Sequence, residues 1–312
     1  MSRAVVFAYH NVGVRCLKVL LAHGVDVALV VTHTDNPHET IWFDSVAQTA
    51  ADYGIPTIAP ENPNTPAILA RIEDCKPDFL FSFYYRLMLN PALLAAAARG
   101  AYNMHGSLLP KYRGRVPVNW ALIHGECQTG ATLHRMVEKP DAGEIVAQQA
   151  VPILPDDTAH EVFGKVTLAA EMALYAVLPA LVAGTAPHRA PDLKAGSYYG
   201  GRKPEDGRID WNKSAQEIHN LVRALTPPYP GAFCDLPAGR LKILRSLHPT
   251  EERGGFGQPT LFTRAGRMFA ECGDGRVLRL LAVESNQDGA PIVIETGDQF
   301  NLIFSTSVHP LS

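Results

Sequence analysis

Cysteine is scarce in this sequence and never arranged in pairs. Five occur in 312 residues, Cys16, Cys75, Cys127, Cys234 and Cys272, and no two form C-x-x-C. An odd, scattered set argues against a disulfide framework or a structural zinc site and suits a reducing, cytoplasmic setting. Positive charge is not in excess either. Lys+Arg number 28 against 31 Asp+Glu, for a net charge of -3. Such a chain has no strongly basic field with which to hold nucleic acid or an anionic membrane non-specifically. No uninterrupted apolar run of membrane-spanning length is expected, because residues 169–182 carry Glu171 and Pro179 and read as a core helix. The opening MSRAVVFAYH enters a strand-like run too short for a secretory h-region, so no signal peptide is expected. None of the twelve His makes H-x-x-x-H or H-E-x-x-H, and His33 with His38, or His105 with His134, could meet only by tertiary accident. No metal is expected. Glycine-rich phosphate motifs are missing as well. The first strand-to-helix turn, AYHNVGVRCL, holds one glycine, and neither G-x-G-x-x-G nor G-x-x-x-x-G-K-[ST] occurs. Dinucleotide redox chemistry and P-loop chemistry lose their main support.

What is present is an ordinary globular composition, 46% hydrophobic and 19% charged, in a length that suits two domains. Up to about residue 104, short apolar runs alternate with helix-like segments. Strands are expected at 4–8, 25–32, 57–59, 78–83 and 101–104, and helices at 14–22, 43–53, 66–75 and 91–98. That order implies a mostly parallel sheet with helices on both faces. From residue 129 the pattern changes to two alternating runs, TGATLHRMVE and EIVAQQAVPI, joined by KPDAG as a hairpin-type turn. A long helix is expected at 158–183, and GSYYGGRKPEDGR (196–208) reads as a loop or linker. Beyond it a helix at 214–225 precedes short strands at 232–236, 241–247, 277–283 and 292–295, the pattern of a small β-barrel or sandwich. The expected division is a catalytic domain over 1–200 and a β domain over 201–312.

The most informative stretch is YNMHGSLLPKYRGRVPVNW, residues 102–120. Side chains repeat every two residues along a strand, so Asn103 and His105 share a face. They stand at the carboxyl end of that strand, where ligands bind in open α/β sheets. Pro110, Gly114 and Pro117 restrict the loop that follows, and Lys111, Arg113 and Arg115 supply donors for an anionic or carbonyl-rich ligand. Asp141, in KPDAGE, is ordinary turn chemistry taken alone. Brought beside His105, it would raise the imidazole pKa and fix its tautomer. Asn, His and Asp together can transfer an acyl group by direct attack of an amine, with Asn and His holding the oxyanion.

Asn103-x-His105, then SLLPKYRGRVPVNW, then Asp141-Ala-Gly, resembles the signature of the 10-formyltetrahydrofolate-dependent formyltransferases. The resemblance covers nearly the whole chain. It implies a Rossmann-like domain followed by a small OB-like β-barrel, with Asn103, His105 and Asp141 as the catalytic trio. It also implies 10-formyltetrahydrofolate as co-substrate, lying against the Leu87, Met88, Leu89 backbone, near Arg115, and along the turn Val137, Glu138, Lys139, Pro140, Asp141. Within the family, VVFAYH, THTDNP, FSFYYR, HGSLLPKYRGR, TLHRMV, DAGEIVAQ and PGAF are most similar to the branch acting on UDP-4-amino-4-deoxy-L-arabinose. That branch implies a nucleotide-sugar partner and a role in lipid A modification and polymyxin resistance. Its domain is often joined to a decarboxylating dehydrogenase of the UDP-sugar. No second dinucleotide fingerprint follows here, and a stand-alone enzyme and one domain of a longer protein both stay open, as does oligomeric state.

Three alternatives remain at this stage. Methionyl-tRNA formylation would want a basic footprint, yet residues 33–44 hold no Lys or Arg, and residues 205–312 hold 11 Lys+Arg against 13 Asp+Glu. Another nucleotide amino-sugar is the second. A non-catalytic folate or nucleotide sensor is the third, and the intact trio argues against it. Arg202 and Lys203, in GGRKPEDG, are candidate diphosphate donors.

Overall fold

The computed structural model describes residues 1–236, 239–287, 290–295 and 309–310. The chain divides into two compact units, each assembled from separate stretches: 1–117, 128–151 and 163–200 in the first, and 118–127, 152–162 and 201–312 in the second.

The first unit is built on β1 (Arg3–Ala8), α1 (His10–Ala22), β2 (Asp26–Val31), α2 (Val46–Asp52), β3 (Thr57–Ile58), α3 (Pro66–Asp74), β4 (Phe79–Phe83), α4 (Pro91–Ala95) and β5 (Ala101–His105). The short β6 (Arg113–Gly114) follows, then β7 (Gln128–Arg135), β8 (Ile145–Pro152), the long α6 (Ala159–Ala183), whose first turn belongs to the second unit, and the short β9 (Tyr198–Tyr199), while the helix α5 (Pro117–Ile123) between β6 and β7 falls in the second unit. The sheet runs β3-β2-β1-β4-β5-β7-β8. Its first five strands are parallel, and β7 runs antiparallel to β5. Chain order reverses between β1 and β4, so the α1 and α2 crossovers cover one face and those of α3 and α4 the other. β1 and β4 are buried over almost their full length, which is why AVVFA is a continuous apolar run and FLFSF is apolar but for the buried Ser82, rather than alternating. The core joins Val5, Phe7, Leu29, Val31, Leu80 and Leu93. Truncating one of its large side chains, such as Phe7, to Ala costs about 3–5 kcal/mol.

Helix starts follow local chemistry. Ser45, Thr65 and Asn90 cap α2, α3 and α4 by accepting a backbone N–H, and Pro66 and Pro91 occupy the first helical turn. α6 departs from expectation. Pro179 lies inside it and neither Pro179 nor Glu171 breaks it, so it is long and apolar enough, by length and composition alone, to cross a membrane. Half of its most apolar window is buried within the fold, and Arg15 holds Glu171 with two hydrogen bonds of 2.5 and 2.6 Å.

The second unit has α7 (Ala215–Leu225), β10 (Ala232–Leu236), β11 (Gly239–Ser246), β12 (Thr260–Arg264), β13 (Arg267–Glu271), β14 (Val277–Gln287), β15 (Ala290–Glu295) and β16 (His309–Pro310). Its antiparallel sheet runs β10-β11-β14-β13-β12-β16. β14 pairs β13 through residues 277–280 and β15 through residues 282–287. One long strand thus serves two partners in turn, as in a curled sheet. α7 begins with a capping box between Ser214 and Glu217. It sets Ala215, Ile218, Val222 and Leu225 against Trp211, Ile243 and Leu280.

Several short elements were not expected from the sequence. PVNWALI is helical as α5. TLFTR and RMFAE form the hairpin β12–β13. In the stretch taken for a linker, Tyr198–Tyr199 pairs as β9 with β6, and Pro204–Gly207 makes a 3-10 turn. Each is short, and each owes its form to a tertiary partner or a tight turn rather than to a periodic pattern.

Candidate active site

β5 ends at the carboxyl edge of the first sheet, and the antiparallel register sets Asn103 opposite His134 and His105 opposite Thr132. His134 is the group that links the others. Its Nδ1–H donates to the Arg135 carbonyl at 2.9 Å, so its Nε2 accepts, and it takes Asn103 Nδ2 at 3.1 Å. That bond fixes which way the Asn103 amide faces and leaves its second N–H free to meet a ligand oxygen.

His105 is buried. Its Nε2–H donates to the Tyr112 carbonyl at 2.8 Å, which commits that nitrogen. The other nitrogen, Nδ1, stands 3.6 Å from Asp141 Oδ1, and His134 Nε2 is 3.5 Å from the same oxygen. A proton gained or lost by His105 therefore exchanges at Nδ1, on the side facing Asp141. Asp141 Oδ2 accepts the Gly114 backbone N–H at 2.8 Å. Burial pushes the Asp141 carboxyl upward, but the His105 imidazole and the Gly114 amide hold it well below the usual carboxylate range. Asp141 therefore stays ionised beside His105. Its backbone φ of +51° is uncommon for a residue with a side chain.

The loop after His105 is not simply a solvated basic segment. Arg113 is buried, and the Tyr112 carbonyl and Gly114 amide are the groups that hold His105 and Asp141. Thr132 accepts Leu109 N–H and donates to the Ser107 carbonyl, while Gln148 donates to the Leu109 carbonyl. Pairing with β9 closes the loop. At Gly114, with φ +97°, an added Cβ would stand 2.1 Å from the Tyr199 carbonyl oxygen, so only glycine fits. Next to His105, a Cβ on Gly106 would stand 1.8 Å from the Tyr84 hydroxyl. Tyr84 ends β4 in a left-handed conformation, φ +58°, as does His10 beyond β1, φ +67°. His10 stacks on Phe43 at 3.9 Å and meets Trp42 and Phe163 edge-on, each at 4.5 Å, giving an aromatic wall beside the strand reversal.

The structure brings Asn103, His105 and Asp141 together. Leu87 and Met88 are exposed and Leu89 is buried just beyond β4, where Asn64 holds the Met88 carbonyl at 2.9 Å. Val137, Glu138 and Lys139 are exposed, Pro140 is half-buried, and Arg115 is exposed on the loop. In the second unit, Arg202 packs 4.8 Å over the Trp120 ring and donates to the Asp206 carbonyl, while the Lys203 backbone N–H meets the Asp206 carboxylate. The residues that sequence reasoning missed are His134, Thr132, Gln148, Gly106 and Tyr84. Alternation in TLHRMV places Thr132 and His134 on one face, but only the β5–β7 register shows that this face meets Asn103 and His105.

Residues 12–178 match the formyl transferase family, and residues 202–295 match the formyl transferase C-terminal domain. Among solved structures, the fold is similar to an N-formyltransferase from Helicobacter canadensis in complex with folinic acid and dTDP-3-aminofucose. That match has 21% identity and TM-score 0.67, over 90% of this chain and 99% of that one. It is also similar to WlaRD, a sugar 3N-formyltransferase solved with dTDP and 5-N-formyl-THF, at 19% identity and TM-score 0.70, over 90% and 97%. A third is HypX from Aquifex aeolicus with tetrahydrofolic acid, at 16% identity and TM-score 0.63, over 94% of this chain but 46% of that one. At these identities the likeness establishes the fold.

Proposed function

Because the chain belongs to the formyl transferase family and is a formyl-transferring enzyme, we propose that it moves the formyl group of 10-formyltetrahydrofolate onto the amine of a nucleotide-linked amino-sugar. The supporting observation is the arrangement of Asn103, His105 and Asp141 around one point at the carboxyl edge of the sheet. The neutral amine attacks the formyl carbon, and the carbonyl π pair moves onto oxygen. Asn103 N–H and the protonated His105 Nδ1 hold the resulting oxyanion. The amine proton passes to the Asp141 carboxylate, since His105 already carries a proton on each ring nitrogen. Collapse re-forms the carbonyl and breaks the bond to folate nitrogen, which leaves with that proton returned by Asp141. Folate would lie along the segments 87–89 and 137–141, near Arg115. Arg202 and Lys203 stay candidates for the diphosphate, although Arg202 already has the Trp120 face and the Asp206 carbonyl as partners.

The narrower acceptor we propose is UDP-4-amino-4-deoxy-L-arabinose, which would put the enzyme in lipid A modification. THTDNP, FSFYYR and TLHRMV together with the missing basic footprint support it over methionyl-tRNA. The test is formyl transfer from 10-formyltetrahydrofolate against a panel of nucleotide amino-sugars and methionyl-tRNA. Transfer to the tRNA alone would overturn the acceptor. His105→Ala should lower turnover by at least about 10²–10³ with the fold intact, and near-normal turnover would overturn the role of the trio.

A further inference from the structure

A second feature of the carboxyl edge lies outside that trio. A cavity of about 320 Å³ opens beyond the ends of β1, β2 and β3, lined by Tyr9, His33, Asp35, Ser45, Thr57 and Ala59 among others. Ligands of doubly wound sheets bind at this edge, beside the strand reversal, and the reversal here falls between β1 and β4. Asp35 stands a few residues past β2. The Tyr9 phenol donates to its Oδ1 at 2.6 Å, and the Asp35 residue is exposed, so its carboxylate can still accept from a further donor. The neighbours are fixed. His33 stacks on Tyr85 at 4.1 Å and accepts the Arg86 backbone N–H at 3.0 Å on Nε2. The Arg86 guanidinium lies 4.8 Å from the centre of the Tyr9 ring and pairs with Glu39 at 2.9 Å.

An ionised carboxylate only accepts hydrogen bonds, so its natural partner is a pair of hydroxyls. A carboxylate at the end of the second strand is where doubly wound folds hold a ribose. The first turn lacks the usual glycines and carries His10 instead, so phosphates have no glycine cradle at α1. They must run onward along the sheet edge. The order β2-β1-β4-β5 separates Asp35's strand from His105's by three strand spacings, about 14 Å. A diphosphate bridging a ribose and an amino-sugar covers that span.

We infer that this cavity seats the ribose of the acceptor's nucleotide, with Asp35 accepting from its 2′- and 3′-hydroxyls, so that the enzyme selects a ribonucleotide over a 2′-deoxyribonucleotide. The inference deepens the amino-sugar proposal and rests on it for the identity of the full ligand, but its test needs no formyl transfer. Titration calorimetry with UMP and dUMP reads it directly. The intact chain should bind UMP about 10- to 100-fold more tightly, the range for a hydrogen bond to a charged group. Asp35→Ala should bring UMP down to the affinity of dUMP, leave dUMP nearly unchanged, and leave 5-formyltetrahydrofolate binding as it was. Tyr9→Phe, which frees the carboxylate without removing it, should shrink the preference part-way. Equal binding of the two nucleotides, binding of neither, or a preference that survives Asp35→Ala would overturn the inference. A UMP preference that vanishes in Asp35→Ala, with no amino-sugar formylated, would overturn the acceptor proposal and leave this site standing.

Discussion

His134 shows how much one side chain outside the trio can decide. With Nδ1–H committed to the Arg135 carbonyl, its Nε2 is the acceptor that orients the Asn103 amide. His134→Ala removes the acceptor and lets the amide turn, so the oxyanion loses a well-aimed donor while folate and acceptor contacts persist. Turnover should fall by roughly 10-fold or more with KM nearly unchanged, and His134→Gln, which keeps an acceptor, should recover part of it. A change confined to KM would make His134 a binding residue instead. Gly106 makes a steric counterpart. Tyr84 is a rigid ring that meets Phe163 edge-on at 5.5 Å, so its hydroxyl has little room to retreat from a new Cβ. Gly106→Ala should reduce activity sharply, and adding Tyr84→Phe, which removes the clashing oxygen, should restore a measurable part. Independent, additive losses in the double variant would contradict the clash.

The two-residue pairing of β6 with β9 is the element on which the acid–base pair depends. Gly114 pairs with Tyr199 and donates its N–H to Asp141, so Gly114→Ala disturbs both at once. Turnover should drop by about 10-fold or more, and its pH profile should shift, because Asp141 loses one of the groups holding its pKa down. An unchanged profile would assign Gly114 to folding alone. This element also marks the limit of what the chain's pattern discloses. The buried strands β1 and β4 were legible because a strand covered on both faces must be largely apolar. Asn103 and His105 could be placed on one face because strand side chains alternate. Tyr198–Tyr199 could not be read as a strand, since two residues carry no period, and its partner lies more than eighty positions earlier. β12 and β13 escaped for a related reason: TLFTR and RMFAE are brief, and Arg264 and Arg267 sit where a strand is expected to stay apolar or uncharged. His134 was visible as a residue but not as a partner, because register belongs to the folded sheet.

At the scale of the whole molecule, acid should weaken the fold through a histidine that takes no part in the trio. His219, wholly buried, bonds Ser246 Oγ and the Pro155 carbonyl, each at 2.9 Å. Burial drives its pKa down from 6.5 to about 4, against the opposing pull of the Pro155 carbonyl. The unfolded chain therefore takes up the proton first as pH falls. The stability that neutral His219 contributes is complete above about pH 6.5 and drains until about pH 4, at no more than about 1.4 kcal/mol per pH unit. Urea midpoints measured across that window should fall, and His219→Gln should flatten part of the slope. An equal slope in the variant would place the effect elsewhere, with His33, also pushed down to about 4 by burial and Arg86, as the next group to replace.

The interleaving of the two units bears on how the protein is made. Residues 118–127 and 152–162 leave the ribosome well before the segment that completes their unit. Asn119 waits for the Ala224 carbonyl, 105 residues later, and the carbonyls of Leu154 and Asp157 wait for Arg223. At about 5–20 residues per second, Asn119 spends roughly 5–20 s without that partner. Buried apolar groups such as Val118, Leu122 and Ile153 share the delay. A nascent chain stalled near residue 200 would present those surfaces for as long as the stall lasts, so chaperone capture should be heaviest on stalled chains of that length and fall away once the last hundred residues have emerged.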